Sequence, residues 1–179
     1  MVWKQESKSS TTVTSKIIQN EVDSFHLIWY SRFLYAMQEP LLYNRQLSKI
    51  VYRFTWLRTF DNPVVIRIER DTSGVILYWK VTDGQGGYSP GDIVINNKRN
   101  LTLLEWDRLI SMVDLANYWQ MRRIDSFGTD GSEWILEGVE LTRYYVTSAW
   151  SPDENSDFYK IGDFLLNLTD LKIKEVDKY

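Results

Sequence analysis

Between Lys49 and Val81 the chain alternates apolar and polar residues in short runs, and each run closes on a turn signal. Lys49–Phe60 (KIVYRFTWLRTF) puts Ile50, Tyr52, Phe54 and Trp56 on one face of an extended chain, with Arg53 and Thr55 on the other. Asp61-Asn62-Pro63 ends that run. Val64–Glu69 repeats the pattern, with Val64, Ile66 and Ile68 inward and Arg67 outward. Asp71-Thr72-Ser73-Gly74 turns the chain into Val75–Val81, and a glycine-rich loop from Asp83 to Gly91 leads to a short fourth strand, Asp92–Asn96. A period of two is incompatible with a helix. Strands this short, joined by turns this tight, pair with neighbours running the opposite way, so the block predicts an antiparallel meander.

Helical periodicity flanks this block. Residues 23–38 place Phe25, Ile28, Trp29, Phe33 and Met37 on one stripe and stop before Pro40. Thr102-Leu103-Leu104-Glu105 has the form of a capping box and opens a helix over Thr102–Met121, with Trp106, Leu109, Ile110, Val113 and Ala116 as its core stripe. Glu133–Glu137 and Tyr144–Trp150 read as a further hairpin, and Phe158–Leu168 as a third helix. The alternating tail Leu171–Val176 reads as an edge strand. Residues 1–16 are Ser/Thr/Lys-rich without apolar periodicity and read as a flexible tail, with no apolar h-region of a signal peptide. The expected architecture is one α+β domain over residues 17–179: a mainly antiparallel sheet of about six strands with about three helices packed on one side.

Composition narrows the chemistry. The chain has no cysteine and one histidine, His26, which leaves no disulfide, no thiol nucleophile and no histidine cluster for a metal. No Gly-x-Ser-x-Gly accompanies His26, so it reads as an ordinary helix residue rather than a general base. Twenty-one Lys and Arg against 24 Asp and Glu leave no basic excess for nucleic acid. No apolar run reaches the ~20 residues of a membrane-spanning helix. Gly84-Gln85-Gly86-Gly87 is followed by Tyr88-Ser89-Pro90-Gly91 rather than a helix, so it reads as a loop, not a phosphate cradle. Asp125–Gly131 lacks the ligand spacing of a calcium loop and reads as a turn. No catalytic residue, metal ligand or cofactor is expected.

What remains is a set of binding candidates. Arg53 and Arg67 lie on strands that should be neighbours, where two guanidinium groups suit a carboxylate or phosphate; they can equally pair with Glu69 or Glu137 across strands. The expected ligand site brings Arg53 and Arg67 into one pocket with Asp83 and Tyr88 of the glycine loop. Glu133 and Glu137, four apart on one strand, stand about 13 Å apart and are too distant for a glycosidase pair. Eight Trp, eleven Tyr and seven Phe exceed what a core of this size needs, and Tyr43, Tyr88, Tyr118, Trp119 and Tyr145 are the candidates for exposed rings.

Several segments together resemble a family of uncharacterised bacterial proteins, many exported or lipid-anchored: Trp29-Tyr30-Ser31 to Pro40, Tyr52–Phe60, Asn62–Arg67, Asp83–Tyr88, Leu101-Thr102 to Trp106, Asp130–Gly138 and Trp150-Ser151-Pro152. The likeness spans roughly residues 28–171. It implies one continuous domain and a periplasmic or envelope location if a signal segment has been removed; otherwise the location is cytoplasmic. It brings no activity or site residue. The family pattern has a histidine where this chain has Asp61, a His and an Asp-Arg pair where it has Tyr145 and Ser148-Ala149, and cysteines before Gly84 and before the last hairpin. Any site those residues form in relatives is altered here. The readings are a non-catalytic binding domain for a protein, peptide or glycan, a carboxylate-dependent hydrolase of glycans, and a small inhibitor or immunity-type protein.

Overall fold

The computed structural model describes residues 21–43, 48–122, 128–141, 143–174 and 177–179. The expected tail, residues 1–16, and residues 125–127 of the Asp125–Gly131 segment lie outside the described residues. The elements in order are α1 (Glu21–Ala36), β1 (Ile50–Arg58), β2 (Val64–Asp71), β3 (Gly74–Thr82), β4 (Ile93–Asn100), α2 (Leu103–Leu115), a short 3-10 turn (Tyr118–Gln120), β5 (Ser132–Glu140), β6 (Arg143–Trp150) and α3 (Asp157–Asn167). Six strands form one sheet in the order β4-β3-β2-β1-β5-β6, every neighbour antiparallel. The α+β meander expected from the alternation is therefore what the chain builds.

Parity decides which side chains meet. Tyr52, Phe54 and Trp56 of β1 share a face with Ile66, Leu77 and Trp134, and α2 and α3 cover that face with Trp106, Leu109, Phe158, Ile161 and Leu165. Each of these large apolar side chains contributes roughly 1.5–3 kcal/mol by leaving water. Trp134 stacks on Tyr159 at 5.0 Å.

The expectation that all helices lie on one side is corrected. β1 and β5 are each buried at eight of nine positions, so both faces of the sheet centre are covered. α1 supplies the second cover: Tyr30 and Phe33 pack on Leu57 and Ile135, and Leu42 of the following segment packs on Val51 and Val139. Of the expected stripe, Phe33 and Met37 are buried and Trp29 packs beside Phe33, but Ile28 is 69% exposed and Tyr30 is buried instead; the Phe25 side chain lies outside what is described.

One helix end differs from the periodicity. The capping box of α2 forms: Glu105 N–H donates to Thr102 Oγ1 at 3.2 Å and Thr102 N–H to Glu105 Oε2 at 2.8 Å. Its C-terminus comes at Leu115, well before Met121, because Asn117 takes a left-handed φ of +48°. That turn drives Tyr118 inward, where its hydroxyl donates to the Tyr145 carbonyl at 2.9 Å. Gly138 leaves room for the ring, since a Cβ there would sit 2.8 Å from it. In the tail, residues 171–174 join no strand; Leu171 and Ile173 instead pack against the main core, and residues 175–176 lie outside the described residues. β4 runs to Asn100, past the expected Asn96, because an edge strand tolerates the polar run Asn96–Asn100.

Candidate functional site

Arg53 and Arg67 face one another in the β1–β2 register and point to the α1 side of the sheet. They are not on an open face: Arg53 is 2% exposed and Arg67 8%. α1 and the residues after it form the cover, and the same residues supply the partners. Arg67 Nε donates to Glu39 Oε2 at 2.8 Å, Lys80 Nζ lies 2.9 Å from Glu39 Oε1, and Arg53 Nη1 lies 3.7 Å from Oε2. Lys80 also donates to the carbonyls of Met37 and Gln38 just beyond α1, where the helix dipole favours a cation. Arg53 Nη1 donates to the Pro40 carbonyl at 2.8 Å.

Cross-strand pairing completes the set. Arg53 Nε donates to Glu137 Oε2 at 2.7 Å, and the Tyr144 hydroxyl donates to Glu137 Oε1 at 2.9 Å. Arg67 also pairs with Glu69, which in turn holds Lys49. Four cations thus share three carboxylates beneath α1. Burial works against the Arg53 charge, but Glu137 and Glu39 more than offset it, so its pKa stands above the ordinary arginine value. Burial first, and Glu137 second, push the Tyr144 and Tyr30 hydroxyls far above their usual range.

Asp83 and Tyr88 lie elsewhere. Both belong to the loop after β3, at the end of the sheet where Arg58 closes β1. Arg53 is five residues back along β1, about 17 Å from that end. The single pocket expected for Arg53, Arg67, Asp83 and Tyr88 is therefore two places. Asp83 Oδ1 accepts from the Asp92 amide at 2.7 Å and closes the loop. The amides of Gly86 and Gly87 donate to the carbonyls of Asp61 and Thr59, both at 3.1 Å, so they are spent on the β1–β2 turn rather than free for a phosphate. Gly86 is required by proximity: a Cβ there would stand 2.4 Å from the Arg58 carbonyl oxygen.

The clamped loop presents Tyr88, 59% exposed, beside Phe60, 51% exposed, with ring centroids 6.2 Å apart and planes tilted by 35°. Gln85 Nε2 donates to the Phe60 carbonyl, and Asp61 stands next to the pair with its Oδ2 accepting from the Tyr179 hydroxyl at 2.5 Å. Alternation through Lys49–Phe60 gives Phe60 the inward parity of Tyr52, Phe54 and Trp56, but β1 ends at Arg58 and leaves the ring outside the sheet. Tyr118 is buried, and Tyr43 packs edge-on against Tyr144, so neither offers a platform. The side chain of His26 lies outside what is described. Among the described residues no group of three or more His, Asp or Glu side chains is placed to hold a metal, and no helix is long and apolar enough to cross a membrane. No family model matches the chain, and no curated protein is similar to it.

Proposed function

We propose that this chain is a non-catalytic binding domain of a bacterial, cell-envelope protein, and that it takes a glycan across the Phe60–Tyr88 pair. The observation that carries this reading is two neighbouring large rings left in water on a loop that the backbone clamps at Gly86 and Gly87. Rings held in advance lose little entropy on binding and offer a flat apolar contact to the C–H face of a sugar. Asp61 and Gln85 beside them supply acceptors and donors for hydroxyl groups. The bacterial and envelope parts rest on the family resemblance of the segments around Tyr52–Phe60 and Asp83–Tyr88.

The engagement of the buried acids also favours binding over hydrolysis. Glu39 and Glu137 both pair with the Arg53 guanidinium, and each accepts from further donors. A hydrolytic pair needs one protonated acid in a cleft. The test is titration of the full chain with soluble peptidoglycan fragments, followed by amide NMR. Shifts should cluster at residues 59–61 and 85–89, and Tyr88→Ala should weaken binding roughly 30-fold, the scale of an aromatic anchor. Shifts elsewhere, shifts produced only by a peptide ligand, or cleavage of the fragments would each refute the reading.

A further inference from the structure

We infer that Arg53, Arg67 and Lys80 form a carboxylate-binding site that Glu39 occupies from within the same chain, and that an external carboxylate can exchange with it. This goes beyond the aromatic platform and does not depend on it. Four observations carry it. First, one carboxylate is met by three cations from three different strands, with side chains 2%, 9% and 9% exposed, while that of Glu39 is 1% exposed. This is the arrangement that receives an anionic ligand: a charge-assisted bond to each oxygen, 2.8 Å from Arg67 and 2.9 Å from Lys80, and a third cation behind.

Second, the anion comes from a connecting segment and the cations from the sheet. Glu39 follows Gln38, whose φ of +52° is left-handed, so the chain is bent sharply between α1 and the carboxylate. Third, an open cavity of about 530 Å³ is lined by Tyr35, Ala36, Gln38 and Glu39 itself. It borders the main chain of Glu39, whose side chain is 1% exposed, so a ligand reaches the three cations, and the displaced carboxylate reaches water, as that side chain swings out into the cavity. Fourth, stability alone is a poor reason for the arrangement, because buried ion pairs are commonly matched or exceeded by apolar side chains of similar volume. The cations and carboxylates linked here leave one positive charge in excess. A ligand carboxylate can thus replace that of Glu39 without burying an unpaired charge of its own.

The cavity walls indicate the rest of the ligand. Tyr35 is 87% exposed and Ala36 is small, so the carbon skeleton beyond the carboxylate meets an aromatic face and Gln38 supplies an amide. The site therefore takes a small organic acid, or an acidic side chain or C-terminus of a peptide; the shared chemistry is the carboxylate.

The test uses acetate as the probe and sodium chloride at equal ionic strength as the control. In Glu39→Ala the site is vacated, so the variant should melt below the native chain and recover about half or more of the loss in a saturable way as acetate binds only the folded form. Recovery equal in chloride overturns the site. In the native chain, the Nε–H signals of Arg53 and Arg67 and the amides of Gln38 and Glu39 are followed by NMR while acetate is raised to about 0.5 M, a range chosen because a tethered group competes at mM or higher effective concentration. Shifts specific to acetate at these four positions support exchange. Their absence over that range overturns it and makes Glu39 a fixed structural partner. Should Glu39→Ala fail to fold in either salt, the native-chain titration decides alone.

Discussion

Replacing Arg53 by Met tests the account of the layer beneath α1. Met preserves most of the length of the arginine stem and removes the guanidinium, which is 2% exposed and bonded to Glu137 at 2.7 Å and to the Pro40 carbonyl at 2.8 Å. Glu39 keeps Arg67 and Lys80, whereas Glu137 retains only Tyr144 among the partners described above. Removing one partner of a buried pair strands the other charge and costs about 3–5 kcal/mol. For a chain of 179 residues this corresponds to a melting temperature lower by roughly 6–20 °C. Removing both partners, in Arg53→Met with Glu137→Leu, leaves no stranded charge, and the double variant should be more stable than the two single losses summed by about 2 kcal/mol or more. Urea unfolding followed by circular dichroism measures all four corners of the cycle. Additivity within ~0.5 kcal/mol, or an Arg53→Met loss under about 1 kcal/mol, refutes the claim that this pair is desolvated and coupled.

Three further outcomes follow from the same geometry. Thr102→Ala removes the N-cap of α2 and should lower stability by about 1 kcal/mol in the same unfolding assay, while Thr102→Ser should lose far less. The Arg99 and Thr102 bonds hold Glu105 at a pKa of about 2, below its ordinary 4.5, so its contribution is complete above about pH 4.5 and disappears as the pH falls toward 2; Glu105→Gln should flatten that part of the acid limb in a stability-against-pH series. Gly86→Ala puts a methyl group against the Arg58 carbonyl at 2.4 Å, so amide exchange should quicken across residues 84–89, and an unchanged pattern would show that the loop is not clamped there.

The strands were legible because their signal is local. A period of two in KIVYRFTWLRTF and VVIRIE, with Asp-Asn-Pro and Asp-Thr-Ser-Gly between them, assigns inward and outward residues without reference to the rest of the chain, and the register Arg53↔Arg67 agrees with it. The capping box of α2 was equally local. Its C-terminus was not: apolar spacing continues to Met121, and only the buried place for Tyr118 beside Gly138 makes the turn at Asn117 worthwhile. The candidate site was half legible. Tyr88 could be named from its loop, but Phe60, its neighbour in space, stands 28 positions earlier in the chain, where the alternation gives it an inward parity that the strand, ending at Arg58, does not impose.

Alternation along the strands determined that Arg53 and Arg67 share a face, and the turns determined that their strands are adjacent. Whether that face meets water was settled elsewhere, by α1 and the residues from Met37 to Leu42, which fold back over it and bring Glu39 to three cations. Sequence pattern records the side of a strand on which a residue lies, because that depends on backbone geometry a few residues long. It does not record what covers that side, because the cover is made by residues far away along the chain, whose position depends on the energy of the whole packed arrangement.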